Sequence, residues 1–376
     1  MMLPSPIYST GNEQRYMAEA IASGHLCGDG PFTHRCERWL ESALHAQRVL
    51  LTTSGTAALE MAALLCDLQP GDEVIMPSFT FTSTATAFVR VGATPVFVDV
   101  DPITCNISPE CVAAAITPKT RAIVPVHYAG NACHMEEIVC LARKHHLWVI
   151  EDAAQAILSR HKNNHLGTIG HLGCLSFHES KNIQCGEGGA LIINDTGLLE
   201  RAEILREKGT NRTAFFRGQV SKYMWLDIGS SYVLGELNAA FLWAQLEQAE
   251  SILNKRTSNF KTYHEQLLPL SQHGQFCIPQ YEEPYDGNGH IFYIITQDNN
   301  ARSSLMNYLS SKNIPSFFHY VPLHTSPAGK KYCRCSGNLP NTEKLGESLL
   351  RLPISSNMTI QQVQTITAEI RKYYLT

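Results

Sequence analysis

The sequence predicts an α/β protein, with a mixed, largely parallel sheet between helix layers in a large domain and a smaller α+β domain after it. Three observations predict this. Between about residues 48 and 195, short β-branched apolar runs alternate with helix-length segments, the pattern of strands buried on both faces and joined by helical crossovers. Polar clusters follow those runs directly, at the carboxyl ends of the strands, where open α/β sheets gather ligands. Near residue 250 the alternation stops, and longer helices with isolated strands take over. The expected division is therefore residues 1–248 and 249–376, with about the first 25 residues packing as an arm.

The apolar runs are Val49 to Leu51, Glu73 to Met76, Pro95 to Val100, Ala122 to Val126, Leu147 to Ile150 and Ala190 to Ile193. Their polar followers are Ser54-Gly55-Thr56, Ser78-Phe79-Thr80-Phe81, His127-Tyr128 and Glu151-Asp152. From Asp227 to about Ala249, Leu234, Leu237, Ala240, Phe241, Ala244 and Leu246 recur at helical spacing and predict one long amphipathic helix. Beyond it the pattern predicts a helix over 251–270 and Pro/Gly-rich chain over 279–289. A strand from His290 to Thr296, a helix around Ser303 to Lys312, a strand near Pro315 to Tyr320 and a closing helix from Thr359 to Tyr374 complete the expected small domain.

Composition limits the function. Apolar residues make up 44% and charged residues 17%, which excludes a disordered chain. With 30 basic against 34 acidic residues and no basic run, nothing attracts nucleic acid or an anionic membrane, so any anionic ligand must be held locally. No apolar stretch approaches the roughly 20 residues that cross a bilayer. The twelve cysteines are scattered, and the N-terminus lacks a basic and apolar leader, so free thiols and a cytoplasmic location are expected. Sixteen histidines without a His-Glu-x-x-His pair or paired Cys-x-x-Cys motifs give no expectation of a metal.

The densest chemistry lies between residues 149 and 190. Asp152 ends a buried run, and Ser176 and Lys181 follow, five residues apart, before Gly186-Glu187-Gly188-Gly189. That combination suits pyridoxal phosphate. A lysine amine forms a Schiff base with its aldehyde, and an acid keeps the pyridine nitrogen protonated so that the ring accepts carbanion electrons. Ser176 and the turn Ser54-Gly55-Thr56-Ala57, ahead of a helical run, suit the phosphate because helix N-termini bind anions.

These motifs, in this order and spacing, resemble the DegT/DnrJ/EryC1/StrS sugar aminotransferases: Ser54-Gly55-Thr56-Ala57-Ala58, Pro77-Ser78-Phe79-Thr80-Phe81, His127-Tyr128-Ala129-Gly130, Glu151-Asp152-Ala153-Ala154-Gln155, Ser176-Phe177-His178-Glu179-Ser180-Lys181-Asn182 and Gly186-Glu187-Gly188-Gly189. The resemblance runs from about residue 5 to the C-terminus. It implies the fold type I pyridoxal phosphate-dependent transferase architecture, with a seven-stranded type of sheet. The implied reaction moves an amino group from L-glutamate, by way of pyridoxamine phosphate, to a dTDP-linked 4-keto-6-deoxysugar; 3-keto or UDP-linked sugars are the alternatives. It also implies a homodimer with shared active sites.

By the same resemblance, Lys181 carries the cofactor and moves the proton, Asp152 pairs with the pyridinium nitrogen and Gln155 contacts the ring hydroxyl. Phe81 stacks on the ring, and Thr56, Ala57 and Ser176 hold the phosphate. Tyr320 and His324 lie towards the sugar nucleotide, and His127, after the fourth run, is a candidate to line the same site. Two positions depart from the family: Val233 stands where an Asn often reaches the partner's phosphate, and Lys208 where a His is frequent. A sugar dehydratase with the same cofactor would carry His in place of Lys181, and a non-catalytic paralogue would have lost the site residues.

Overall fold

The computed structural model describes residues 8–281 and 286–375. The first seven residues of the expected arm and residues 282–285 of the Pro/Gly-rich stretch lie outside the described residues. Seven strands form the body of the sheet: β1 (Arg48–Thr52), β2 (Glu73–Pro77), β3 (Thr94–Val98), β4 (Thr120–Ile123), β5 (Trp148–Asp152), β6 (Leu172–Ser176) and β7 (Gly189–Ile193). Beyond them come β8 (Phe292–Ile295), β9 (Arg334–Cys335) and β10 (Leu349–Leu352). The large sheet has the order β1-β7-β6-β5-β4-β2-β3-β9. Only β7 runs antiparallel to its neighbours β1 and β6. The sheet is thus mixed, as the sequence predicts, and its carboxyl ends share one edge.

Strand β6 was not among the expected runs, because Gly173 interrupts its apolar pattern. Packing requires that glycine: a Cβ there would stand 2.1 Å from the carbonyl oxygen of Gly167. The N-terminal helix Glu13–Ala22 lies on the helix Glu236–Glu247, where Tyr16 Oη donates to Glu247 Oε2 at 2.6 Å and Gln245 Nε2 donates to Glu13 Oε1 at 2.8 Å.

Three expectations after residue 200 are corrected. The helix predicted from Asp227 starts only at Glu236, because residues 226–231 are tied to the turn at Lys208-Gly209 by Leu226 N–H to Gly209 O and Lys208 N–H to Ser230 O. Pro315 to Tyr320 is no strand; Phe317 makes a single bridge to Arg351. Cys333-Arg334-Cys335, in a stretch for which no element was expected, supplies β9, which extends the large sheet beside β3. The C-terminal part therefore shares a sheet with the N-terminal part. It also has an apolar core of its own, in which Leu350 and Leu352 of β10 meet Phe260, Tyr263, Val363 and Ile366 from the helices Ala249–Gln272 and Ile360–Leu375.

A buried ion network ties the first helix layer to the sheet. Arg206 is fully buried and donates to Glu37 Oε1 and Asp29 Oδ1, each at 2.6 Å, while Glu37 also accepts from Leu51 N–H at 3.1 Å. Burial by itself pushes the Glu37 carboxyl up, but Arg206, His34 and Arg48 outweigh it and hold the group at about 2. Replacing Glu37 with Ala strands the Arg206 charge, and urea unfolding should show a loss of about 3–5 kcal/mol. The depressed acidity has a sign: the Glu37 contribution is complete above its unfolded value of 4.5 and fades as pH falls through about 2. Acid unfolding of the native chain should accordingly steepen below pH 4.5, and E37A should flatten that limb.

Candidate functional site

A cavity of ≈ 520 Å³ opens at the carboxyl ends of β5 and β6, walled on its far side by residues of the C-terminal part. Asp152 ends β5 and forms the floor, only 6% exposed. Its oxygens accept from Thr84 Oγ1 at 2.7 Å and from Ala154 N–H at 3.2 Å. Thr84 lies on the helix Thr82–Val89, backed by Thr80 Oγ1 at 2.8 Å. Both donors are neutral, so the carboxylate is oriented without being neutralised.

Lys181 lies on the loop between β6 and β7. That loop is braced by Phe177 N–H to Gly188 O at 2.8 Å and Cys185 N–H to Phe177 O at 2.9 Å. Burial drives the Lys181 ammonium down from its ordinary 10.5 to about 8, Asp152 opposing the shift and Arg351 adding to it. A minor but appreciable fraction of the lysine is thus neutral amine at physiological pH, facing an unneutralised carboxylate.

The other end of the cavity suits an anion. Ser54 caps the helix Gly55–Leu65, its Oγ accepting from Ala57 N–H at 3.0 Å. The first-turn N–H groups of Gly55 and Thr56 have no acceptor within the helix, and the helix dipole adds positive potential there. Thr56 Oγ1 meets Ser83 Oγ at 2.7 Å, and Ser176 stands alongside: a Cβ on Gly55 would come 2.9 Å from the Ser176 Cβ. A Cβ on Gly189 would lie 2.3 Å from the Ser54 carbonyl carbon. The second glycine of Gly188-Gly189 is therefore what lets β7 approach the capped turn.

Gln155 joins the two walls. Its Oε1 accepts from Ala129 N–H and its Nε2 donates to Tyr320 Oη, both at 2.8 Å. Tyr320 stacks on His319 with ring centroids 3.7 Å apart, and His319 Nδ1 meets Tyr128 Oη at 2.7 Å. Phe81, 59% exposed, stands at the mouth.

Of the residues expected in the site, Thr56, Phe81, Asp152, Gln155, Ser176, Lys181 and Tyr320 line this one cavity. Three do not. His127 is fully buried, its Nε2 2.9 Å from Glu151 Oε2 and its Nδ1 accepting from Cys133 N–H, and it does not line the cavity. His324 is held outside the walls by Ser78 Oγ at 2.8 Å and Glu343 at 3.3 Å. Ala57 spends its N–H on the Ser54 cap and is buried. Among the wall residues that escaped the sequence reading are Thr84, His290, His319 and Arg351. His319 adjoins Tyr320, a usable signal, whereas Arg351 lies on β10, a strand that the apolar pattern did not reveal.

Comparison with known proteins adds to this geometry. The model of the DegT/DnrJ/EryC1/StrS aminotransferase family matches residues 8–371. GDP-perosamine synthase from Escherichia coli O157:H7 is 33% identical over 377 residues, covering 98% of each chain. The crystal structure of S. venezuelae DesV in complex with a ketimine intermediate superposes with a TM-score of 0.87 at 30% identity, over 96% of this chain and 94% of that one. An aminotransferase from Psychrobacter cryohalolentis gives a TM-score of 0.93 at 28% identity, over 100% and 99%.

The electrostatics of the floor are open to direct measurement. Acylation of Lys181 in the ligand-free chain, followed by peptide mass spectrometry across pH, should show a midpoint near pH 8. Asp152→Asn removes the charge that favours the ammonium, so its midpoint should fall below that of the native chain.

Proposed function

The chain belongs to the DegT/DnrJ/EryC1/StrS aminotransferase family, and from that premise we propose that it aminates dTDP-4-keto-6-deoxy-D-glucose with L-glutamate, giving dTDP-4-amino-4,6-dideoxy-D-galactose and 2-oxoglutarate. The product suits the assembly of a cell-surface polysaccharide of the enterobacterial common antigen type. The observation that carries the amino-transfer reading is Lys181 and Asp152 facing one cavity, with a capped helix N-terminus at its other end. The sugar assignment is supported by a resemblance: the phrasing Cys27-Gly28-Asp29-Gly30, Arg206-Glu207-Lys208-Gly209-Thr210-Asn211-Arg212, Phe215-Phe216-Arg217-Gly218-Gln219 and Asp227-Ile228-Gly229-Ser230-Ser231 looks most like that of a dTDP-4-amino-4,6-dideoxygalactose transaminase.

The residues fit pyridoxal 5′-phosphate. A buried carboxylate held only by neutral donors has room for a cationic ring N–H, and burying it with no such partner is costly. The helix N-terminus at Gly55 and Thr56, with Ser176, offers donors for the phosphate, and Phe81 and Gln155 flank the space between. When bound, the cofactor supplies an aldehyde that takes up the amino group and a ring that absorbs carbanion electrons.

The chain's own residues do the rest. Lys181, with proton affinity brought near neutrality by burial, can both take and return a proton within one turnover. Thr84 and Ala154 fix the direction of the Asp152 carboxylate, so its charge stays aimed into the cavity. Gln155 holds Tyr320 against the site and thereby joins the C-terminal wall to the floor. Tyr320, half-buried against the site, keeps its hydroxyl protonated because desolvation of that hydroxyl and the charge of Asp152 disfavour the phenolate.

We also read the working unit as a homodimer acting in the cytoplasm. Phe216, Met224, Trp225 and Ile228 form an apolar stretch that is more than half exposed in the single chain, which supports a partner surface. Among the described residues, no helix is long and apolar enough to cross a membrane.

Incubation with dTDP-4-keto-6-deoxyglucose and glutamate, with the product identified by NMR, tests the assignment. A 4-amino sugar of the galacto configuration is expected, together with one 2-oxoglutarate per amine formed. Lys181→Ala should reduce turnover by at least about 10⁴-fold, the scale of losing a general acid-base group. Retention of full activity in that variant would overturn the amino-transfer reading, whereas an active enzyme that leaves this sugar untouched would overturn only the substrate.

A further inference from the structure

The lysine loop is gripped from the C-terminal side by a contact that the roles assigned so far do not use. Between β6 and β7, Asn182 follows Lys181 directly and is only 4% exposed. Its Nδ2 donates to the carbonyl oxygen of Asn288 at 2.9 Å, and its Oδ1 lies 2.8 Å from His290 Nδ1. An amide oxygen carries no hydrogen, so the proton of the second contact belongs to His290 Nδ1. Desolvation of the ring, reinforced by the charges of Lys181 and Arg256, holds His290 well below the usual histidine range, so the ring keeps this one proton and its Nε2 is bare. The clasp on Asn182 therefore fixes the tautomer.

The groups behind the ring are equally well fixed. Asn288 Nδ2 donates to the carbonyl oxygens of Gln155 and Ile157, each at 3.0 Å, and its Oδ1 accepts from His290 N–H at 3.1 Å. Arg256, on the helix Ala249–Gln272, donates to the carbonyl oxygens of Gly289 at 3.2 Å and His290 at 2.8 Å. Gly289 sits at φ +61°, and a Cβ there would stand 2.8 Å from the Arg256 carbonyl oxygen, so this approach requires glycine. Residues 288–290 are thereby bonded to a C-terminal helix on one side, and to Asn182 and the turn after β5 on the other. Asp152 ends β5 and Gln155 lies in that turn, so the clasp references the lysine loop to the floor of the cavity.

Placement of the lysine backbone matters because a misplacement of about 1 Å at a reacting group costs on the order of 100-fold in rate. The helix Glu236–Glu247 holds the far part of the loop, where Asn238 Nδ2 donates to Cys185 O at 2.9 Å and Glu187 O at 3.2 Å. The clasp holds the part that bears the lysine. We propose that His290 is a positioning residue for Lys181: through the Nδ1–H that it extends to Asn182, the C-terminal part sets where the lysine stands in the cavity. Both half-reactions then depend on His290 equally, since one lysine serves both. This rests on the amino-transfer reading above.

Two amide substitutions separate the two ring nitrogens, because an asparagine side chain places its N–H near the position of ring Nδ1 and a glutamine reaches that of Nε2. In the holoenzyme, His290→Gln should lower the saturating rate of 2-oxoglutarate formation from glutamate about 10-fold, the scale of one buried hydrogen bond, with half-saturation by glutamate changed by less than about 3-fold. The return half-reaction with the keto-sugar nucleotide should slow by the same factor, and His290→Asn should recover most of the loss. Asn182→Ala cuts the contact from the loop side and should match His290→Gln, with the double variant no slower than either single one. Hydrogen exchange of the ligand-free chain gives a readout independent of activity: peptides over residues 177–188 should exchange on the order of 10-fold faster in both single variants, with β1 unchanged. If His290→Gln does not fold, Asn182→Ala carries the rate and exchange comparisons. A fully active His290→Gln beside an impaired His290→Asn would assign Nε2 to a ligand and overturn the proposal, as would additive losses in the double variant or faster exchange throughout the chain. If the native holoenzyme released no 2-oxoglutarate from glutamate, the amino-transfer reading would fail, while the exchange comparison would still decide whether the clasp sets the lysine loop.

Discussion

A buried carboxylate with no cation of its own sets the character of this molecule. Asp152 is the last residue of a central strand, where it is buried and only neutral donors reach its oxygens. Removing such a charge from water is unfavourable unless something answers it. Within the chain the answer is incomplete: the Lys181 ammonium is favoured by Asp152, yet burial has the larger effect and brings its proton affinity down. The site is therefore built around an electrostatic demand that a cationic group of a ligand would meet. Thr84 and Thr80 keep the demand directed into the cavity instead of letting the carboxylate turn away.

The same strand ends bring the rest of the site within reach, and the requirement there is steric. Strand β7 runs antiparallel between β1 and β6, so its first residues lie beside the turn that follows β1. No residue with a side chain could occupy position 189 so close to the Ser54 carbonyl, and Gly55 is almost as constrained against Ser176. These two approaches place the helix N-terminus, Ser176 and the lysine loop around one cavity. A larger residue at either glycine would move the anion cradle away from the lysine without touching any group that bonds a ligand.

The sequence made most of this frame legible. Six apolar runs separated by helix-length segments predicted six of the strands, and the polar residues after them identified the floor and the cradle. What escaped has physical reasons. β6 contains a glycine demanded by tertiary contact, and β9 is a two-residue edge strand whose Cys-Arg-Cys carries no periodicity. The predicted helix start at Asp227 failed because apolar residues there serve a turn and an exposed surface, not a helix face. His127 was placed by a sound rule, since it does follow a strand, but the rule does not say which way a side chain points. Burial beside Glu151 shows that this one points into the protein. The C-terminal wall was the least legible part, because Arg351 and His290 reach the cavity through long-range folding that no local pattern reports.

That wall also explains how a chain with a formal charge of -4 handles several anionic groups. Global attraction is absent, so each anion must be met where it binds. A helix N-terminus offers the cavity partial charges that need no counter-ion, while Arg351 offers it a full charge that no carboxylate among the described residues pairs. Placing that full charge near Lys181 has a cost, since like charges weaken each other's protonated forms, and the lowered lysine is part of that cost. The same repulsion has a use. A lysine whose ammonium is weakened in this way more readily exchanges its proton, so the cation on the wall tunes the amine that faces it. When a carboxylate pairs with Arg351, that repulsion is relieved and the Lys181 ammonium becomes more stable, so arrival of the anion raises the basicity of the residue beside it. The charge state of the wall and the protonation of the lysine are thereby coupled across the cavity.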